Sequence, residues 1–304
     1  MIRYAVIDLG TNTFHLLIVE KQADGTLLEL CRERYYVKLA DDGIETISDA
    51  AFERGMQALR QYQNAIQKYD VKQIQAFGTA ALRTASNGPQ FVATALEQTG
   101  ISIQLISGAE EARLIHQGVL QAVPLPKGQV LIMDIGGGSV EFIIADQAGV
   151  IWAKSFQIGV ALLYKRFHQH DPIQDSDVAA LELYLENTLQ ELLTVAKKYN
   201  LAFLIGASGT FDVLEQALVS HKSAALHREI PINDFEGFYQ EIVFSSLAER
   251  LALATIPDSR AKMVIVALVL IRFIVQKMNT QTVIVSAYAM KEGILQEMIA
   301  PPKQ

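Results

Sequence analysis

The chain has 304 residues, with 26 Lys+Arg against 33 Asp+Glu, a formal net charge of −7 and one cysteine. Half of the residues are hydrophobic and 19% are charged, a globular composition and not a disordered one. The lone Cys31 rules out an internal disulfide and a Cys-based zinc site and points to a reducing, cytoplasmic setting. The acidic balance speaks against a nucleic-acid partner or an acidic membrane surface.

Met1-Ile2-Arg3-Tyr4 leads directly into an apolar strand that meets Asp8, so no signal peptide is expected. Residues 5–20, AVIDLGTNTFHLLIVE, read as two apolar strands joined by an Asp-x-Gly turn. Asp24-Gly25 is a hairpin signal before a third strand-like run. Ser48-Asp49 opens an amphipathic helix with Phe52, Met56, Leu59 and Ile66 on one face. The strand Ile74–Phe77 leads into Gly78-Thr79-Ala80. Ser107-Gly108-Ala109-Glu110-Glu111-Ala112-Arg113 reads as a helix start, where first-turn Glu favours the macrodipole. Pro124, Pro126 and Gly128 end that helix and mark a hinge or crossover near Val123.

Residues 131–146, LIMDIGGGSVEFIIAD, then repeat the opening at an offset of 126. Asp8 meets Asp134, Gly10 meets Gly136, Thr13 meets Ser139, and His15 meets Glu141. Ala148-Gly149 is the second hairpin signal. Ser176-Asp177 opens a helix through Leu181, Leu185, Leu189 and Leu192. The strand Leu201–Ile205 leads into Gly206-Ala207-Ser208-Gly209-Thr210, with a helix from Phe211. A unit of strand, strand, strand, helix, strand thus occurs twice, which predicts two α/β domains of common ancestry. Met263–Val275 is too short to span a bilayer and is interrupted by Arg272, so the helix around Ser259–Met278 reads as core or dimer surface. The PPKQ tail is expected to fray.

Three turns carry the chemistry. In Asp8-Leu9-Gly10-Thr11-Asn12-Thr13 a buried strand delivers an acid, and a tight turn follows with N–H groups and hydroxyls, a pattern that cradles phosphate. Asp134-Ile135-Gly136-Gly137-Gly138-Ser139 spends three glycines where a hairpin needs one or two, which predicts close backbone approach to a ligand. Two such turns related by duplication would face each other across a cleft, a carboxylate from each holding Mg²⁺ directly or through water. Gly206–Thr210 is a Gly-rich turn at a helix N-terminus, an anion site by dipole and free N–H groups. His168 and His170, near Asp171, have H-x-H spacing but no evident third ligand, and read as a solvated loop. Lys197-Lys198 reads as a solvated helix end.

Five segments, AVIDLGTNTFHLLI, FGTAALRTASNG, ISGAEEARLI, IMDIGGGSVEFII and IGASGT, spread from residue 5 to residue 210. They resemble the exopolyphosphatase / guanosine pentaphosphate phosphohydrolase (Ppx/GppA) family of the actin-like ATPase superfamily. The resemblance implies an α/β fold of two duplicated actin-like ATPase (ribonuclease H-like) domains, with mixed sheets flanked by helices and a cleft between them. The implied domains are 1–123 with about 287–304, whose last helix packs back on the first domain, and 124–286. It resembles the short form of the family, without the extra helical domain of longer members.

By the same resemblance Glu111 activates water and Glu141 is a second essential carboxylate. Asp134 is linked to magnesium, with Asp8 contributing. Gly10, Thr11, Asn12 and Thr13 form the first phosphate loop, and His15 stands behind it. Gly136, Gly137, Gly138 and Ser139 form the second loop, and Ser208, Gly209 and Thr210 the third. Arg83 faces phosphate. The implied activity is Mg²⁺-assisted release of orthophosphate from inorganic polyphosphate, or the same chemistry on guanosine pentaphosphate. Rivals from other classes are an ATP-dependent phosphotransferase, which Glu111 in EEAR opposes, and a non-catalytic sensor. Family members are commonly homodimers. Two segments depart from the family pattern. Lys262 stands where an acid usually follows Arg260, and Lys291 where the final segment usually has Arg. Positive potential for a polyanion must then come from Mg²⁺, Arg83 and backbone N–H groups, not from a basic face.

Overall fold

A computed structural model of the chain describes residues 2–219 and 224–300. The PPKQ tail expected to fray lies outside the described residues. Tertiary contacts divide the described chain into two units, 2–118 with 136–138 and 290–300, and 119–135 with 139–289. The contact division falls inside a helix, a little before the boundary expected at 123. The three-glycine turn is grouped with the first unit and not with the strands that flank it.

The first unit opens with β1 (Ile2–Leu9), β2 (Phe14–Lys21) and β3 (Leu27–Tyr35), followed by α1 (Asp49–Lys68) and β4 (Gln73–Gly78). Then come α2 (Ala80–Thr84), α3 (Gly88–Thr99), β5 (Ile103–Leu105) and α4 (Gly108–Ala122). Its sheet runs β3-β2-β1-β4-β5, antiparallel through the first three strands and parallel from β1 onward. The central strands β1 and β2 are almost continuously buried, whereas edge strand β3 alternates toward solvent. Helix α1 begins after Ser48 and buries Met56, Leu59 and Ile66, with Phe52 only partly covered.

The second unit contains β6 (Val130–Ile135), β7 (Val140–Asp146), β8 (Gly149–Phe156), α5 (Val160–Phe167), α6 (Asp175–Thr188), α7 (Gln190–Ala196) and β9 (Phe203–Ala207). It continues with α8 (Gly209–Leu218), β10 (His227–Pro231), α9 (Ile232–Ile242), α10 (Leu247–Ala252), α11 (Asp258–Ala261), α12 (Val264–Met278) and β11 (Thr282–Ser286). Its sheet runs β10-β11-β9-β6-β7-β8. The last helix, α13 (Met290–Ile299), belongs to the first unit and packs on β1. A Cβ on Gly293 would lie 2.0 Å from the Leu114 carbonyl oxygen, so α13 crosses α4 at a distance only glycine allows.

The duplication extends beyond the motif. The β1–β2 and β6–β7 pairs have matching registers, Asp8 opposite His15 and Asp134 opposite Glu141. Each following strand pair carries one bulge, at Ile18/Val19 and at Ile144/Ala145, the same offset of 126. Such irregularities are placed features of a sheet, and their repetition supports descent from one unit.

Several local expectations shift. Helix α6 starts at Asp175, where Gln174 and Asp177 form a capping box, and not at Ser176. The expected single helix through Leu192 breaks at Leu189 into α6 and α7, yet Leu181, Leu185, Leu189 and Leu192 are all fully buried. Strand β9 lies two residues later than its apolar run suggests, and α8 starts at Gly209, not Phe211. The apolar segment splits into α11 and α12, and α12 is buried on nearly every face, a core helix. No helix among the described residues is long and apolar enough to cross a membrane.

Candidate active site

In the first unit β1 delivers Asp8 to the sheet end and the chain turns at once. Gly10 N donates to Thr13 O at 3.1 Å, and a Cβ on Gly10 would sit 2.9 Å from that oxygen. Thr11 and Thr13 are buried, and Asn12 is half-buried. The turn is tied to its surroundings by Leu39 N to Thr11 O at 2.7 Å and Lys38 N to Asn12 O at 3.0 Å. Asp8 lies close enough to the buried Tyr62 phenol to help burial push that group well above its ordinary value.

Two of the three glycines of the second turn, Gly137 and Gly138, pack against this first turn. A Cβ on Gly137 would lie 2.5 Å from Asn12 Cγ, and one on Gly138 would lie 2.6 Å from Thr11 Oγ1. Ile44 and Ala80 also crowd Gly138, at 2.9 and 3.1 Å. Close approach explains these two glycines, but the approaching atoms are those of the protein's own first turn, Ile44 and Ala80, where the sequence predicts a ligand.

Arg83, on α2, donates from Nη1 to Ile106 O at 2.7 Å and to Glu111 Oε2 at 3.3 Å. Its Nε and Nη2 make no bond among the described residues, leaving donors in a planar fork suited to phosphate. Glu111, in the first turn of α4, is 7% exposed. Its neighbour Glu110 is different. It pairs with Arg113, which also reaches Glu297 on α13, and the guanidinium holds both carboxyls below the usual range. The sequence pair EE thus resolves into one partly buried carboxylate beside a phosphate-type arginine and one surface ion-pair residue.

In the second unit β6 carries Asp134 one residue before its end and β7 carries Glu141 directly opposite. Both are buried, at 7% and 1% exposure. Ser155 Oγ donates to Glu141 Oε1 at 2.6 Å, and Ser208 Oγ donates to Asp134 Oδ1. Ser139, between the two carboxylates in sequence, is buried too. The set of hard oxygen donors suits Mg²⁺, which is commonly held by one or two carboxylates and completes its shell with water and phosphate oxygens. Among the described residues no group of three or more His, Cys, Asp and Glu could hold a metal ion, so any ion there would rely on such outside oxygens.

Ser208 takes φ +74°, a left-handed conformation that costs a residue bearing a Cβ, and caps α8 ahead of Gly209 and the buried Thr210. The sequence reading assigns no role to Arg260, yet its guanidinium lies against this turn, 1.9 Å from where a Cβ on Gly209 would be. A cation at a helix N-terminus opposes the macrodipole, an arrangement that an anion bound at the same place would relieve. Only the tertiary path of α11 brings Arg260 there, anchored by the buried Arg250, whose Nε donates to Ala261 O at 2.7 Å. Lys262, the first departure from the family pattern, turns away to lie 5.1 Å over the Tyr164 ring. Lys291, the second, is half-buried in the first turn of α13. His170 bonds Asp177 at 2.9 Å, and half-buried His168 stacks on Tyr164.

The structure therefore gathers Gly10–Thr13, Gly137, Gly138, Arg83 and Glu111 in the first unit. It gathers Asp134, Glu141 and Ser208 in the second, with Gly209 and Thr210 next to Ser208.

The profile of the Ppx/GppA phosphatase family matches residues 17–301. The crystal structure of an exopolyphosphatase from Cytophaga hutchinsonii is similar at 37% identity over 97% of both chains, with a TM-score of 0.93. A Ppx/GppA family member from Aquifex aeolicus matches over 98% of this chain and 97% of its own, at 23% identity and a TM-score of 0.81. An exopolyphosphatase-like protein matches over 97% of both chains, at 23% identity and a TM-score of 0.87. The last two share the fold, an α/β architecture of two mixed sheets flanked by helices.

Proposed function

The chain belongs to the Ppx/GppA phosphatase family, and from that premise we propose that it is an exopolyphosphatase, removing orthophosphate from the end of inorganic polyphosphate. The observation that carries this reading is Glu111, a partly buried carboxylate held 3.3 Å from Arg83 in a family of phosphatases. The substrate is supported by the exopolyphosphatase from Cytophaga hutchinsonii.

Glu111 orients a water and accepts its proton as the new O–P bond forms. The terminal anhydride P–O bond breaks, and the shortened chain leaves with the electron pair. Arg83 and the Asn12 and Thr13 N–H groups of the first turn meet the charge on the phosphoryl oxygens. Ser208–Thr210 at the start of α8, with Arg260 beside it, serve the remaining phosphates. Asp134 and Glu141 would hold Mg²⁺, which, when bound, would neutralise phosphate charge. Asp8 contributes less to that ion, because a basic residue, His15, stands opposite it on β2.

Glu111→Gln should keep its fold and lose ~10²–10⁴-fold in phosphate release, the usual worth of a general base. Wild-type turnover in that variant would overturn the mechanism. Phosphate release measured side by side on polyphosphate and on guanosine pentaphosphate tests the substrate. Preference for the nucleotide would replace polyphosphate while leaving the chemistry in place.

A further inference from the structure

The carbonyl groups of the first turn are held from one side. Leu39 N donates to Thr11 O and Lys38 N to Asn12 O, at 2.7 and 3.0 Å. In a trans peptide the C=O and the next N–H point in opposite directions. The N–H groups of Asn12 and Thr13 therefore face away from residues 38–39, toward the side on which a phosphate would meet backbone donors.

The strap that imposes this orientation is itself under constraint. Lys38 sits at φ +51°, a left-handed conformation unfavourable to a residue with a Cβ. Its own carbonyl and that of Val37 point back toward α1. There Arg54 donates to both, from Nε to Val37 O at 2.9 Å and from Nη2 to Lys38 O at 3.2 Å. The planar fork of one guanidinium thus spans two consecutive carbonyls, a geometry Lys cannot reproduce. Helix α1 gives the clamp a fixed base, since Met56, Leu59 and Tyr62 of the same helix are fully buried. The Asp41 carboxylate stands at 3.6 Å from Nη2, an exposed ion pair, while the Asp41 backbone N–H, which a side-chain change leaves in place, also donates to Lys38 O at 3.2 Å.

We infer that Arg54 is a positioning residue for the first phosphate turn, acting through the strap Val37–Leu39. The inference rests on the reading that this turn binds the phosphates of the substrate. Arg54 touches no reacting atom in this account. Its effect is on how the turn presents its donors, so it belongs to binding shared by ground state and transition state.

The test compares Arg54→Met, Arg54→Lys and Asp41→Asn. Arg54→Met keeps the apolar stem and removes both donors. With polyphosphate as substrate it should raise KM ~10-fold and leave kcat within ~2-fold, the signature of lost uniform binding. Arg54→Lys should fall between it and wild type, and Asp41→Asn should match wild type. Hydrogen exchange at the Lys38 and Leu39 amides gives a readout independent of activity. It should be ~10-fold faster in Arg54→Met and unchanged in Asp41→Asn. Should Arg54→Met fail to fold, Arg54→Lys carries the same test with smaller changes. Wild-type KM with wild-type exchange rates would overturn the inference. So would a lower Tm with KM unchanged, which is the mark of a purely structural arginine. If the wild-type chain released phosphate from neither polyphosphate nor guanosine pentaphosphate, the exopolyphosphatase reading would fall, and the exchange rates would still decide the clamp.

Discussion

In the first sheet Asp8 stands opposite His15, which stands opposite Arg34; in the second, Asp134 stands opposite Glu141, which stands opposite Ser155. The two rows occupy matching positions of a duplicated unit, so the backbone frame is common and the side chains alone differ. Directly opposed residues on neighbouring strands interact at short range, opposite charges favourably and like charges unfavourably. The first row is an acid followed by two basic groups. The second row places two carboxylates side by side and brings no basic side chain of its own. One ancestral row has thus become a charge-balanced strand end in one unit and, on the reading proposed above, an acceptor for a cation in the other.

The comparison can be broken by exchanging the rows. Glu141→His writes the first row's chemistry into the second. Phosphate release should then fall by at least ~100-fold, the lower end for losing an essential ionisable group. The rise in Tm with Mg²⁺ that the proposed reading expects of the wild-type protein should be absent from this variant. Retained activity would show that the second carboxylate is structural. His15→Glu does the reverse and builds an acid pair beside Asp8. It should cost up to ~1 kcal/mol in urea unfolding, and less at high salt. No loss at low salt would mean that Asp8 and residue 15 do not interact across the strands.

The smallest expected effect distinguishes the units by pH. Burial pushes His116 in the first unit below its ordinary value, and burial together with Arg250 does the same to His168 in the second. Each takes up its proton at a lower pH in the folded chain than in the unfolded chain, which protonates below about pH 6.5. Their contribution to stability is therefore present above that pH and is lost as pH falls through it. Urea midpoints at pH 7.5 and pH 5.5 should differ, and His116→Leu and His168→Leu should each remove part of the difference. A pH-independent midpoint in wild type would refute both assignments.

Much of this was legible in the sequence because the duplication writes itself twice. The Asp-led turns, the paired strands and the helix starting at Ser107-Gly108 all follow from local pattern. The packing of Gly137 and Gly138 on Asn12 and Thr11 was not, since three glycines announce close approach without naming what approaches. No local pattern ties Arg260 to the third turn, because it lies about fifty residues beyond it, and only the buried Arg250 and the path of α11 bring it back. Arg54 looked like an ordinary polar position on an amphipathic helix. Its two carbonyl partners become visible only once Lys38 adopts its left-handed conformation. The break at Leu189 was hidden because the leucine spacing continues through it unchanged.

The central claim is that the second row, not the first, holds the metal. Calorimetric titration of Mg²⁺ into wild type, Glu141→Gln and Asp8→Asn tests it most directly. The account predicts that affinity falls at least ~10-fold in Glu141→Gln and stays within ~3-fold of wild type in Asp8→Asn. Loss of affinity in Asp8→Asn with full binding in Glu141→Gln would contradict it.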